Sequence, residues 1–162
     1  MLALRYAGVL ALTLWVGGLL ELGGIAAPSI FAVAGAHQLV GDRALAGAIF
    51  GETLRRFHLL TYLCGFVLMG TLLMRGVLGP RPVRFALRLA VAFLMLLASA
   101  YSGVIVSGQL SRAQAAIGVA PSALPEGDPR RSAFGRLHAL STGLQLVPIL
   151  GGLFLMFREL KD

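Results

Sequence analysis

The stretch FALRLAVAFLMLLASAYSGVIV, Phe85 to Val106, holds one charged residue, Arg88, in 22 positions. A hydrocarbon core about 30 Å thick is crossed by roughly 20 apolar residues in helix. Helix is the form required, because lipid offers no water to satisfy exposed backbone groups. Three more stretches have the same character: Tyr6 to Val33, Phe57 to Met74 and Leu137 to Phe157. The chain is 57% hydrophobic and 13% charged, against about 25% charged in an ordinary soluble domain. These features predict an all-α integral membrane four-helix bundle, with residues 1–162 forming a single domain whose first partner is the lipid bilayer.

The net charge of +7 comes from 14 basic and 7 acidic residues. The arginines stand at the ends of apolar spans and form no separate basic domain. That placement suits lipid headgroups and argues against nucleic acid. Four spans put both termini on one side. Seven basic residues fall on the terminus side (Arg5, Arg75, Arg81, Arg84, Arg88, Arg158, Lys161). Seven fall opposite (Arg43, Arg55, Arg56, Arg112, Arg130, Arg131, Arg136). The densest cluster, Arg75 to Arg88, favours cytoplasmic termini in a bacterial inner membrane.

Between the spans lie segments of different kinds. Ala34 to Ala44 reads as a short polar connection, with His37 solvated. Gly47 to Phe57 is amphipathic and is expected to lie at the interface before span two. Glu52, three and four residues before Arg55 and Arg56, supports helix there. Residues 107–136 read as an exposed loop, with helix continuing over Gln109 to Ile117 and prolines at 121, 125 and 129. Pro28 is expected to kink span one or mark its last turns. Gly17, Gly18, Gly23 and Gly24 permit close helix approach. Arg158 to Asp162 reads as a polar tail. The single cysteine, Cys64, lies in an apolar run and reads as a small buried hydrophobe.

One phrase occurs twice. Arg56-Phe57-His58-Leu59-Leu60-Thr61 returns as Arg136-Leu137-His138-Ala139-Leu140-Ser141, which suggests two related helical hairpins. Each copy sets a histidine at the loop-side mouth of a span. Neutral imidazole ligates haem iron, copper or zinc, and Arg56 and Arg136 suit a propionate or phosphate. That pattern defines a haem b or metal reading for His58 and His138. The plainer reading makes these residues the headgroup boundary of two helices.

His138, Ser141, Thr142 and Gln145 fall on one helical face. In lipid such a face should turn inward, with Ser99, Tyr101 and Ser102 as partners. It reads as interhelical glue or as a conduit. Glu21 is the acid that lies within an apolar span, and it too should face the bundle. A proton-coupled carrier could use it; otherwise a neighbouring hydroxyl satisfies it. The chain contains no P-loop, His-Glu-x-x-His, CxxC or G-x-S-x-G, which lowers the case for an enzyme.

Several short motifs, taken in order, resemble a known family. They are Trp15-Val16-Gly17-Gly18, Ala27-Pro28-Ser29-Ile30-Phe31, Ala46-Gly47-Ala48-Ile49-Phe50-Gly51 before Arg56-Phe57-His58, Tyr101-Ser102, and Phe134-Gly135-Arg136-Leu137-His138-Ala139-Leu140-Ser141. Together they resemble the domain-of-unknown-function 4149 family, with its transmembrane-protein-205-like members. The resemblance implies a small four-helix membrane protein of uncharacterised activity. The glycine-rich first span and small polar mass favour a non-enzymatic structural or accessory subunit of a larger membrane complex, or a homo-oligomer. Two positions depart from the family. Glu21 stands where its members are usually apolar, and Gly108-Gln109 stands where a proline often ends span three. A weaker likeness, through Trp15 to Gly18, runs to the copper-resistance D and protoporphyrinogen-oxidase J proteins. Those also carry membrane histidines, and the latter implies haem.

Overall fold

Each apolar stretch winds into one long helix that overruns its expected span. The computed structural model describes residues 1–36, 42–79 and 81–161. Helix α1 runs Leu2–Ala36 and widens once into a π-turn at Leu22–Ala26. Helix α2 is continuous over Asp42–Leu78. Helix α3 covers Phe85–Ile117, with a π-turn at Tyr101–Val106. Helix α4 covers Pro129–Lys161. At 1.5 Å per residue these rods are roughly 50–55 Å long.

Helix takes in much of the connecting sequence. The amphipathic segment 47–57 leads into span two as part of α2, which passes through it without a break. Glu52 does pair with Arg55 at 2.7 Å and Arg56 at 2.8 Å on its exposed face. Within residues 107–136, helix continues to Ile117 as expected, and α4 begins at Pro129, earlier than the expected span. Gly118, at φ 73°, ends α3 in a left-handed turn that suits glycine. Arg158 to Lys161 is the final turn of α4 rather than a tail. His37 lies outside the described residues.

Pro28 is accommodated by the π-turn just before it. Proline lacks an N–H and its ring crowds the carbonyl four residues back. The wider turn reroutes that bonding, and the Ala27 N–H reaches the Leu22 carbonyl.

The helices form a ring in which α1 packs on α2, α2 on α3, α3 on α4 and α4 on α1. Beyond the π-turns, Ala27–Ala36 packs on α2 and Ser107–Ile117 on α4. Between 22% and 39% of each rod's apolar window is buried. The remainder, including Leu14, Leu63, Phe66, Leu94 and Leu150, faces outward. Such a surface is stable in lipid and would aggregate in water. The protein is therefore an integral membrane four-helix bundle.

Its interior is layered. The middle is apolar: Leu12, Leu68, Ala92, Met95 and Leu155 are all at most 3% exposed. Close packing there depends on small residues. A Cβ on Gly152 would collide with Val16, and one on Gly151 would press on Met95 and Val91.

Toward the termini the core becomes ionic. The Glu159 carboxylate of α4 meets Arg75 of α2 and Arg88 of α3, each at 2.7 Å, and Arg5 of α1 at 3.3 Å. Arg5 also donates to the Glu159 carbonyl, which fixes both chain ends on one side. Arg88, 1% exposed, further donates to the carbonyls of Val83 and Arg158. Beside the cluster is a cavity of about 10 Å³, enough for about one water molecule. One carboxylate thus joins all four helices.

Removing that carboxylate strands buried guanidiniums. Glu159→Ala should cost roughly 3–5 kcal/mol and lower the thermal midpoint in detergent sharply. Arg5→Gln, at the 40% exposed partner, should cost much less. Equal midpoints for the two variants would contradict the assigned geometry.

Asp128 caps α4. Its carboxylate accepts the Arg130 N–H at 2.8 Å and the Arg130 guanidinium at 2.7 Å, with Pro129 in the favoured first helical position. The guanidinium first, then the backbone N–H, holds this carboxyl below its ordinary value. A carboxyl depressed in the folded state stabilises above its unfolded pKa, and that stability is lost as pH falls through the folded value. The cap should be intact at neutral pH and fray in strong acid. Amide exchange at Arg130 as a function of pH will show this, and Asp128→Asn should flatten the profile.

Candidate functional site

On the loop side of the apolar middle, buried polar side chains collect from three helices. His58 and Thr61 come from α2, Ser99 and Ser102 from α3, and Ser141 from α4; all are at most 5% exposed. Trp15 of α1, fully buried, rests on Gly65. Thr61 satisfies itself by donating to the His58 carbonyl at 2.8 Å.

Others have no partner among the described residues: both ring nitrogens of His58, the Ser102 hydroxyl and the Trp15 indole N–H. Each orphaned buried polar group costs about 1–3 kcal/mol, so such a cluster requires an explanation. His58 is seated by Gly103. A Cβ at that position would collide with the Tyr62 hydroxyl and press on the His58 ring. Tyr62 stacks on His58 with ring planes 16° apart and centroids 6.2 Å apart. The contact falls within the π-turn of α3. The π-turn of α1 begins one helical turn beyond Gly18, which meets Phe57, and so lies farther out than His58. Single π-turns within α-helices recur at functional sites.

The residues expected to act here separate. His138 is exposed and stacks on Phe134 of its own helix at 6.4 Å. Gly151 stands against Met95 and Gly103 against His58, so residue 143 of α4 lies level with His58. His138 is then roughly 7 Å farther out, on a helix diagonal to α2. The expected histidine pair is therefore not assembled, and the two copies of the repeated phrase occupy unlike surroundings. Among the described residues no group of three or more His, Cys, Asp or Glu could hold a metal ion. The histidine pair that the haem reading calls for is likewise not brought together, His58 being buried against Gly103 and His138 exposed. Arg56 and Arg136 are exposed, and Arg56 is engaged with Glu52.

The α4 stripe does not turn inward as a unit. Ser141 is buried, Gln145 half-buried, and His138 and Thr142 exposed. Thr142 donates to the His138 carbonyl at 3.0 Å, which satisfies its hydroxyl without a neighbouring helix. Ser99 and Ser102 are buried as expected of partners, whereas Tyr101 faces outward.

Glu21, expected to face the bundle, is exposed on the outer side of α1. The carboxylate held in the interior is Glu159. One clue to it was Arg88 inside an apolar run, since a buried guanidinium demands a carboxylate. Of the four glycines expected to bring helices together, Gly18 receives Phe57; Gly17, Gly23 and Gly24 have nothing within 4 Å of an added Cβ.

Fold and site together define a polytopic membrane protein with a sealed apolar middle and a buried polar layer near one surface. The chain belongs to the family described as domain of unknown function (DUF4149), which its residues 10–118 match. That match takes in most of α1 and all of α2 and α3. No curated protein and no solved structure matches the chain.

Gly103 offers a direct check on the site. Gly103→Ala must displace Tyr62 or His58, and overpacking of this kind costs about 1–3 kcal/mol. Gly17→Ala, in open space within a helix, should be neutral or slightly stabilising. Thermal melting of both variants in one detergent tests the contrast.

Proposed function

We propose that this protein is a structural, accessory subunit of a membrane assembly and binds its partner through the outer face of α1. The observation that carries this is the exposure of Glu21. Gly17 lies one turn before it and Gly24 one turn after, both with open space above them. A carboxylate at the edge of the hydrocarbon is costly without donors. Glycines one turn to either side let a second helix approach until its side chains reach the acid. The partner is a transmembrane helix bearing a basic, amide or hydroxyl group at that depth. The apolar middle of the bundle supports this reading over a carrier, since Leu12, Leu68, Met95 and Leu155 separate its polar ends. We place both termini in the cytoplasm of a bacterial inner membrane, on the strength of the Arg75 to Arg88 cluster.

The test is native electrophoresis of solubilised source membranes. Wild-type chain should migrate in an assembly larger than the monomer. Glu21→Leu and Gly17→Leu should release it as monomer, with thermal midpoints unchanged. A wild-type chain that is monomeric in its own membranes would end this reading.

A further inference from the structure

The unpartnered polar atoms around His58 lie at a place that lipid can reach. Tyr62 and Gly103 are half-buried, and Leu59, Leu63, Tyr101 and Val104 beside them are exposed. The seam between α2 and α3 therefore opens on the acyl chains at this depth. Aqueous solutes do not reach such a seam, but membrane-dissolved molecules do.

The chemistry at the seam is specific. A neutral imidazole offers one donor and one acceptor, and a hydroxyl offers either. His58 and Ser102 lie within one residue of the Gly103 contact, and both are at least nine-tenths buried without a partner. Buried donors of this kind match carbonyl or hydroxyl oxygens. The His58 face already carries a flat ring, that of Tyr62. A planar ligand can take that position if Tyr62, already part-exposed, turns out toward the lipid. Gly103, within the π-turn of α3, brings the α3 backbone close against Tyr62 and His58, so the seam opens to a ring as Tyr62 turns out.

We propose that the α2–α3 seam is a binding site for a flat, oxygen-bearing ring dissolved in the membrane, of the quinone class, held by hydrogen bonds to His58 and Ser102. The site is independent of the α1 face and of any partner seated there. Tyr62 is the gate, and the ring replaces it against the imidazole.

Trp15 is the chain's single tryptophan. It is fully buried on Gly65, two helical turns along α2 from His58. A quinone in the seam will quench its fluorescence from close range. The experiment titrates decylubiquinone into the full-length protein in lipid nanodiscs and follows that emission. Wild type should show saturable quenching. Ser102→Ala, which removes a single oxygen, should weaken the apparent affinity about tenfold, the worth of one buried hydrogen bond. His58→Leu should abolish saturation. Tyr62→Ala should leave saturation in place or strengthen it. If His58→Leu does not fold, the Ser102→Ala titration decides. Linear, unsaturable quenching in wild type, or a curve unchanged in Ser102→Ala, would mean partition into lipid only and would overturn the proposal.

Discussion

One carboxylate sets the geometry of this bundle. Glu159 draws a guanidinium from each of the other three helices into contact at the terminus end. Lipid-facing helices gain little from hydrophobic contact with one another, because acyl chains are as apolar as leucine. Association must come from packing and from polar bonds. A shared ion is directional and strong in a low dielectric, so it fixes the depth of four helices at once. The interlock of Gly151 and Gly152 with Met95, Val91 and Val16 then follows from that register.

The other end is organised differently. The π-turn of α3 lies at the depth of His58, and that of α1 lies farther out. Above them Ala27–Ala36 packs on α2 and Ser107–Ile117 on α4, so the ring gives way to pairs. The buried polar layer sits where that change begins. Both ring nitrogens of His58 and the Ser102 hydroxyl stay unpartnered there among the described residues.

The four spans were legible because hydrocarbon permits one backbone form and demands about twenty apolar residues for it. The Glu52–Arg55–Arg56 pairing was legible because it is local to one helix. The burial of Ser99, Ser102 and Ser141 followed from their cost in lipid. Helix ends read less well. Nothing in the segment 47–57 announced that α2 would run straight through, since polar helix outside the membrane has the same composition as an interfacial one. The repeated phrase misled on symmetry: identical residue types at His58 and His138 entered opposite environments.

Composition and periodicity by themselves determined the class, the number of spans and the placement of both termini on one side. These depend on short-range rules that every residue obeys in its own helix. Tertiary structure alone decided which acid is interior, which histidine is buried and which glycines are contacts. Glu21 and Glu159 differ in the face each presents to its neighbours, and His58 differs from His138 by the presence of Gly103 opposite. Such properties belong to pairs of residues distant in sequence, and they exist only once the four helices have taken their register.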